Sequence, residues 1–441
     1  MLIQFSVRNF KTFKEKATLN LIASSEKETK GSENIANTNN YKLRILKSAV
    51  IYGANASGKT KFIEALMFMK NFVISSSKES QKGDKISVEP FRLSAETEDK
   101  PSEFEVVFIY QNIMYRYGFE IDKNKIVAEW LFYKPKTKEV EIFYRELQTF
   151  ETHPKKFQKG ARLVRDELTR ENALFLSVSA QFNEEISVNV LEWFRNIKFI
   201  SGLQEQNYSN YSMGLAKDPK QKQKFLALLK SADLGIQDIN LQLLDIDNIP
   251  NNIPQEIREI FIQQLKEGKG EVVTDILTYH KKFDKNAKYI GNIEFSIGDE
   301  SAGTAKFFSL IGLILDVIEN GTILMADELD AKIHPNLVAK IVSLFNSKDL
   351  NPKNAQLVFN THDTNLLSED LFRKDQIWFT EKNSLGEARL YSLADFKADE
   401  VRKTEAFESN YLRGKYGGIP ILGLFERNAY QTIVLKNEDE K

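Results

Sequence analysis

The chain's 441 residues, 42% hydrophobic and 28% charged, have the make-up of a soluble globular protein and the length for one large domain or two to three ordinary ones. A net charge of −1 argues against a generally basic nucleic-acid coat, and the lack of cysteine excludes a disulfide scaffold, thiolate zinc and thiol catalysis. No signal-peptide layout opens the chain and no apolar run approaches a membrane span, so a cytoplasmic protein without membrane contact is expected.

In chain order, residues 1–23 read as two short strands joined by Arg8 to Glu15, and 24–40 as a polar, exposed loop. Ser48 to Tyr52 is a short apolar run rich in β-formers, suited to a buried parallel strand. It delivers Gly53-Ala54-Asn55-Ala56-Ser57-Gly58-Lys59-Thr60, which fits the P-loop pattern. Lys59 to Met69 then carries apolar residues at helical spacing. Strand, glycine-rich turn and helix is the context that this motif needs, which makes a chance match a poor explanation. In this reading Gly53 and Gly58 let the backbone approach a phosphate closely, and the N–H groups of the loop cradle it. Lys59 bridges the β- and γ-phosphates, and the Thr60 hydroxyl holds Mg2+.

Residues 75–101 form a polar connection. Phe104 to Tyr110, Met114 to Ile121, Lys125 to Tyr133 and Val140 to Glu146 are aromatic and β-branched runs split by polar breaks, which predicts an antiparallel meander. Their aromatic side chains suit sheet core better than base-stacking platforms, which need basic interleaving and exposure. Lys155 to Arg170 reads as charged surface and Asn172 to Val178 as a buried strand. Helical patterns follow at Glu184 to Phe194, Pro219 to Ser231 and Gln255 to Glu267, interrupted by the Asn- and Pro-containing Asp245 to Pro254. The expectation is a head in two parts, 1–184 and 286–441, around a mostly helical insert at 185–285. Beyond 287, strands at Tyr289–Ile297, Thr322–Ala326, Gln356–Asn360 and Gln376–Thr380 alternate with helices at Thr304–Ile318 and Asn336–Phe345, which favours a parallel sheet and the α/β class.

Three further constellations carry chemistry. Thr322 to Glu328 is an apolar strand ending in an acidic pair, at the edge where ligands sit in open α/β sheets. Asp327 suits Mg2+ or a water bound to it, and Glu328 is placed to polarise an attacking water. Ser301-Ala302-Gly303-Thr304 sets backbone N–H groups and hydroxyls at a helix N-terminus, which serves as a plain cap, a second phosphate site, or both. His362 follows a strand, where an imidazole can hydrogen-bond a γ-phosphate.

This order of elements resembles the ABC-type ATPase heads of SMC, RecF and OLD-like proteins. Asn9-Phe10-Lys11-Thr12 is similar to the start of such heads, whose basic residue reaches toward nucleotide phosphate, a role that falls here on Lys11. Ser301-Ala302-Gly303 resembles their signature with its first glycine replaced, and Glu328 to Pro335 their acidic D-loop. Gln181 is the candidate for their metal-binding Q-loop glutamine, because it follows the expected strand and precedes the helical insert. The chain looks most like the compact prokaryotic AAA15-type ATPases associated with abortive infection and phage defence. Tyr115 to Phe119, Leu174 to Ser177, Ala180 to Asn183 and Tyr411 to Pro420 carry that likeness, which covers nearly the whole chain. It implies an α/β head with an antiparallel β subdomain, ATP hydrolysis with Mg2+, and a head-to-tail homodimer or higher even oligomer. It also implies an antiphage sensor acting on a separate toxin or nuclease. A RecF- or SMC-like repair ATPase that binds nucleic acid is the alternative. The chain departs from these families in the roughly 240 residues between P-loop and signature. No Toprim-like acidic set follows His362, so no nuclease activity of its own is expected. Arg413 to Pro420, with three glycines, reads either as a tight turn or as an anion-binding or docking loop.

Overall fold

The computed structural model describes residues 1–25, 31–38, 40–79, 81–202, 208–243, 254–255, 259, 262, 273–396 and 406–420. Strands β1 (Leu2–Arg8) and β2 (Ala17–Asn20) pair antiparallel. The stretch expected as an open loop at 24–40 holds a strand among its described residues: β3 (Ile35–Thr38) pairs with β4 (Leu43–Leu46), anchored by buried Ile35 and Ile45. Then β5 (Ser48–Gly53), buried throughout, runs through the glycine-rich turn into α1 (Lys59–Ser75). Strands β6 (Ser102–Tyr110), β7 (Ile113–Ile121), β8 (Ile126–Lys134), β9 (Val140–Glu146) and β10 (Thr149–Thr152) form the expected meander. They join β1 and β2 in a seven-stranded antiparallel sheet, ordered β10-β9-β8-β7-β6-β1-β2. Phe104, Phe108, Tyr115, Tyr117 and Phe119 are buried in its core.

Three short helices follow: α2 (Gln158–Arg165), α3 (Phe175–Gln181) and α4 (Glu185–Arg195). Asn172 to Val178, expected as a strand, is thus helical from Phe175. The cause is Glu129, fully buried on β8. Its carboxylate accepts the N–H groups of Phe175 at 2.7 Å and Leu176 at 2.9 Å, which a helix start would otherwise leave open.

Next come β11 (Ile197–Ser201), α5 (Ser209–Lys217), α6 (Pro219–Ser231), β12 (Ile236–Leu243), β13 (Val273–Phe283) and β14 (Tyr289–Ser296). The helical reading of 185–285 therefore covers only part of that span, whose described residues include helices α4, α5 and α6 but also strands β11, β12 and β13. Strands β12, β13 and β14 make a small antiparallel sheet. The expected helix at 255–267 and break at 245–254 fall mostly outside the described residues.

The last part supplies α7 (Ala302–Asn320), β15 (Ile323–Asp327), α8 (Pro335–Asn346), β16 (Gln356–Asn360), β17 (Ile377–Lys382), β18 (Ala388–Ser392) and α9 (Phe407–Leu412). The central sheet is ordered β11-β15-β16-β5-β17-β18, parallel except for β18. Its parallel strands therefore release their following loops along one edge, which is where such sheets bind ligands. Alternate residues divide between two cores. Ala49 and Ile51 of β5 face α1 and the antiparallel sheet, while Val50 and Tyr52 face α7 and α8. That two-sided burial is why β5 and β15 read as unbroken apolar runs. No described helix is long and apolar enough to cross a membrane.

Candidate active site

The loop after β5 is built by close packing. A Cβ on Gly53 would lie 2.4 Å from the Thr380 Oγ1 and 2.5 Å from the Ser57 Oγ, so a side chain there would push β17 away. The Ser57 and Thr380 hydroxyls bond at 2.6 Å and brace the loop against β17. Gly58 caps α1 with a φ of 118°, a conformation that favours glycine. Asn55 and Ala56 are exposed at the tip. The Lys59 side chain is buried and folds back, donating to the Gly53 carbonyl at 2.7 Å and the Ala54 carbonyl at 3.1 Å. Burial pulls its ammonium down to about 8, against the opposing charges of Glu328, Asp327 and Asp330.

Those carboxylates arrive from β15, two strands away in the sheet. Asn360, at the end of the intervening β16, positions both members of the acid pair. Its Nδ2 donates to the Asp327 Oδ1 at 2.5 Å, and its Oδ1 accepts the Glu328 N–H at 2.6 Å. Glu328 itself holds a φ of 53°, in the left-handed region that a non-glycine residue rarely adopts. Beyond it, Asp330 accepts the His362 N–H at 3.3 Å through Oδ2, while its buried Oδ1 has no hydrogen-bond partner. Partial burial, reinforced by the Lys59 charge, lowers the His362 imidazole below its ordinary value. Lys59, Asp327, Glu328, Asp330 and His362 thus act electrostatically on one another at a single sheet edge. Asn360 was missed as a site residue in the sequence, although it directly precedes Thr361-His362, and Asp330 enters the sequence reading only as part of the D-loop stretch.

The remaining expected residues are placed as follows. Ser301 caps α7, its Oγ accepting the Thr304 N–H at 3.1 Å and meeting the Thr304 hydroxyl at 2.9 Å. Gly303 lies on the D-loop, where a Cβ would come within 2.8 Å of the Lys332 carbonyl. Lys11 pairs with Glu64 on α1 at 2.6 Å. Its neighbour Thr12 abuts the P-loop, with its Oγ1 3.2 Å from where a Cβ on Gly58 would sit. Gln181 is exposed at the end of α3, and α3 is bound to the far half of α1 by the Ser177 hydroxyl on the Val73 carbonyl. Val73 lies fourteen residues, roughly 21 Å, along the helix from Lys59. The structure therefore does not bring Gln181 to the site. The strand that leaves the sheet beside Asp327 is β11, whose continuation at 203–207 lies outside the described residues. The Arg413–Gly418 turn packs on the central sheet, with the Tyr391 hydroxyl on the Tyr416 carbonyl and the Tyr411 hydroxyl on the Gly418 carbonyl.

The donor set suits Mg2+. Thr60 and Asp327 offer only hard oxygen atoms, and three carboxylates against one lysine leave an excess of negative charge for a divalent cation to offset. One carboxylate and one hydroxyl are what Mg2+ takes when phosphates and waters complete its shell.

A parallel sheet with a P-loop after β5, an acid pair after β15 and a histidine after the strand between them defines a P-loop NTPase head. Residues 48–368 match the family described as "AAA domain, putative AbiEii toxin, Type IV TA system", and the chain belongs to that AAA-domain family. Among solved structures, one titled "Structure of cbiO1 from clostridium perfringens: Part of the ABC transporter complex cbiONQ" is 12% identical over 82% of this chain and 87% of that one. Its TM-score is 0.25. No curated protein matches the chain.

Proposed function

We propose that the protein is an ATPase in which Lys59 and Thr60 receive the triphosphate and Glu328 directs water at its γ-phosphorus. The observation that carries this reading is the convergence of Lys59 with Asp327 and Glu328 on one sheet edge, where their charges act on each other. Water attacks in line, the bond from γ-phosphorus to the bridging oxygen breaks, and ADP and phosphate result. Lys59 leaves the Gly53 and Ala54 carbonyls for phosphate oxygens and offsets the charge that spreads over them. Glu328, fixed by Asn360, accepts a hydrogen bond from the attacking water and takes its proton. Thr60 and Asp327 would hold Mg2+, which when bound supplies further charge neutralisation. The His362 imidazole can donate to the γ-phosphate. For Lys11 to reach phosphate it would have to leave Glu64.

Catalysis is shared between two copies in this proposal. Ser301 and the N-terminus of α7 form a second phosphate-binding geometry whose hydrogen bonds, within one chain, stay internal. A head-to-tail partner would set this element against the P-loop, so ATP would hold a closed homodimer and hydrolysis would release it. The family's description, which names a putative AbiEii toxin and a toxin–antitoxin system, supports a place in an abortive-infection-like defence system. In this proposal closure controls a separate toxin or nuclease. The 1–184 and 286–441 parts of the head, together with β11 from the span between them, serve the nucleotide, and the rest of that span serves regulation.

Purified protein with Mg2+ should release phosphate from ATP, and Lys59→Ala should abolish that release while leaving the fold intact by circular dichroism. Wild-type protein that neither binds nor cleaves any nucleotide contradicts the proposal.

A further inference from the structure

We propose that Lys306 is a positioning residue that clamps the backbone on both sides of the acid pair and ties it to the signature serine. This rests on the ATPase reading above and goes beyond it. Lys306 lies on α7, five residues after Ser301, and is buried at 2% exposure in an apolar stretch with Phe307, Phe308, Leu310 and Ile311. Its ammonium donates to the Gly202 carbonyl at 2.9 Å and to the Ala331 carbonyl. Burying an ammonium is costly, and packing alone would be served by an apolar side chain of similar length. What the ammonium adds is charge-assisted hydrogen bonds, stronger than those of a neutral donor.

Both carbonyls belong to residues whose N–H groups hold the backbone of the acid pair, Gly202 that of Asp327 and Ala331 that of Glu328. The Gly202 N–H donates to the Asp327 carbonyl at 2.7 Å, and a Cβ on Gly202 would lie 2.0 Å from the Glu328 carbonyl oxygen. The Ala331 N–H donates to that same Glu328 oxygen at 3.1 Å. Glu328 and Lys332 hold φ values of 53° and 61°, conformations that persist only where the surroundings over-determine them. Lys306 is part of what over-determines them here. Because its stem rises from the signature helix, and Gly303 rests on the Lys332 carbonyl, Ser301 and Glu328 are held in one block. In the dimer proposed above, Ser301 serves the partner's nucleotide and Glu328 the chain's own. Lys306 would therefore make the two composite sites respond together.

The test is Lys306→Met, which keeps the length and apolar stem and removes the donors. With the P-loop untouched, binding of a fluorescent ATP analogue should stay at the wild-type level while kcat falls roughly 10–100-fold, the usual effect of losing a group that orients a catalytic one. Lys306→Arg, which restores a cationic donor, should recover part of kcat. An unchanged kcat in Lys306→Met overturns the assignment. So does a parallel loss of kcat and nucleotide binding in Lys306→Met and in Lys306→Gln, because that pattern marks a purely structural role. Inactive wild-type protein overturns the ATPase reading and this inference with it, whereas active wild-type protein with an unaffected variant overturns only the role of Lys306.

Discussion

Between the meander and α3, Glu129 and Arg145 are fully buried, 3.6 Å apart, and partnered on every side. Glu129 accepts from Phe175, Leu176 and the Tyr117 hydroxyl, while Arg145 donates to the carbonyls of Leu147, Ala173, Arg170 and Glu171. At the edge of the central sheet a second charged cluster is built in the opposite way. Lys59 reaches only carbonyls of its own loop, Asp330 keeps a buried oxygen without a partner, Glu328 sits in left-handed backbone and His362 is exposed. Complete satisfaction fixes one conformation. Strain with open hydrogen-bonding capacity suits a group that waits for a ligand. The same residue types thus build the scaffold in one place and a site in the other.

Exchanging single residues should separate the two clusters. The largest catalytic effect is expected from Glu328→Gln, which should lower kcat about 10²–10⁴-fold while nucleotide still binds, as single-turnover phosphate release would show. In the closed cluster Arg145→Ala should cost about 3–5 kcal/mol of stability, because it leaves the Glu129 carboxylate buried and uncompensated. Urea denaturation checks this, and a loss within the range of ordinary surface substitutions would mean that the cluster is not the scaffold described. Asn360→Ala leaves the acid pair in place without its two orienting bonds. We expect a loss of about 10–100-fold in Mg2+ dependence or turnover, read from magnesium titrations of ATPase rate. The smallest effect is a proton. Lys59 is lowered to about 8 in the free protein. Triphosphate favours its charged form and so raises that value. Binding should therefore draw a proton onto Lys59 above about pH 8 and weaken as pH rises further, with little uptake by Lys59 near pH 7, where it is largely charged in both states. Calorimetry in buffers of different ionisation enthalpy would measure the uptake, and Lys59→Ala should eliminate it.

The site's first half was legible because its signals are local. Ser48 to Thr60 carries strand, loop and helix start in contiguous residues, and Asp327-Glu328 follows its own apolar strand. Helix α6 matched its pattern from Pro219 to Ser231, with Asp218 as N-cap. What escaped depends on distant partners. Helix α3 looks like a strand until Glu129, 46 residues earlier, caps it. The same misread stretch makes Gln181 look like a glutamine at a strand end, whereas β11, five residues long and directly after α4, is recognised by its pairing with β15. Asn360 reads as the end of a strand, and its grip on Asp327 and Glu328 exists only across the sheet.

The central claim is that one nucleotide is shared by two copies, and the mass of Glu328→Gln protein in solution tests it most directly. With Asp327, Thr60 and Lys59 intact, this variant should bind Mg2+ and ATP yet fail to turn over. Light scattering should therefore find a monomer without nucleotide and a dimer with ATP. A monomer at saturating ATP and micromolar protein would contradict the account.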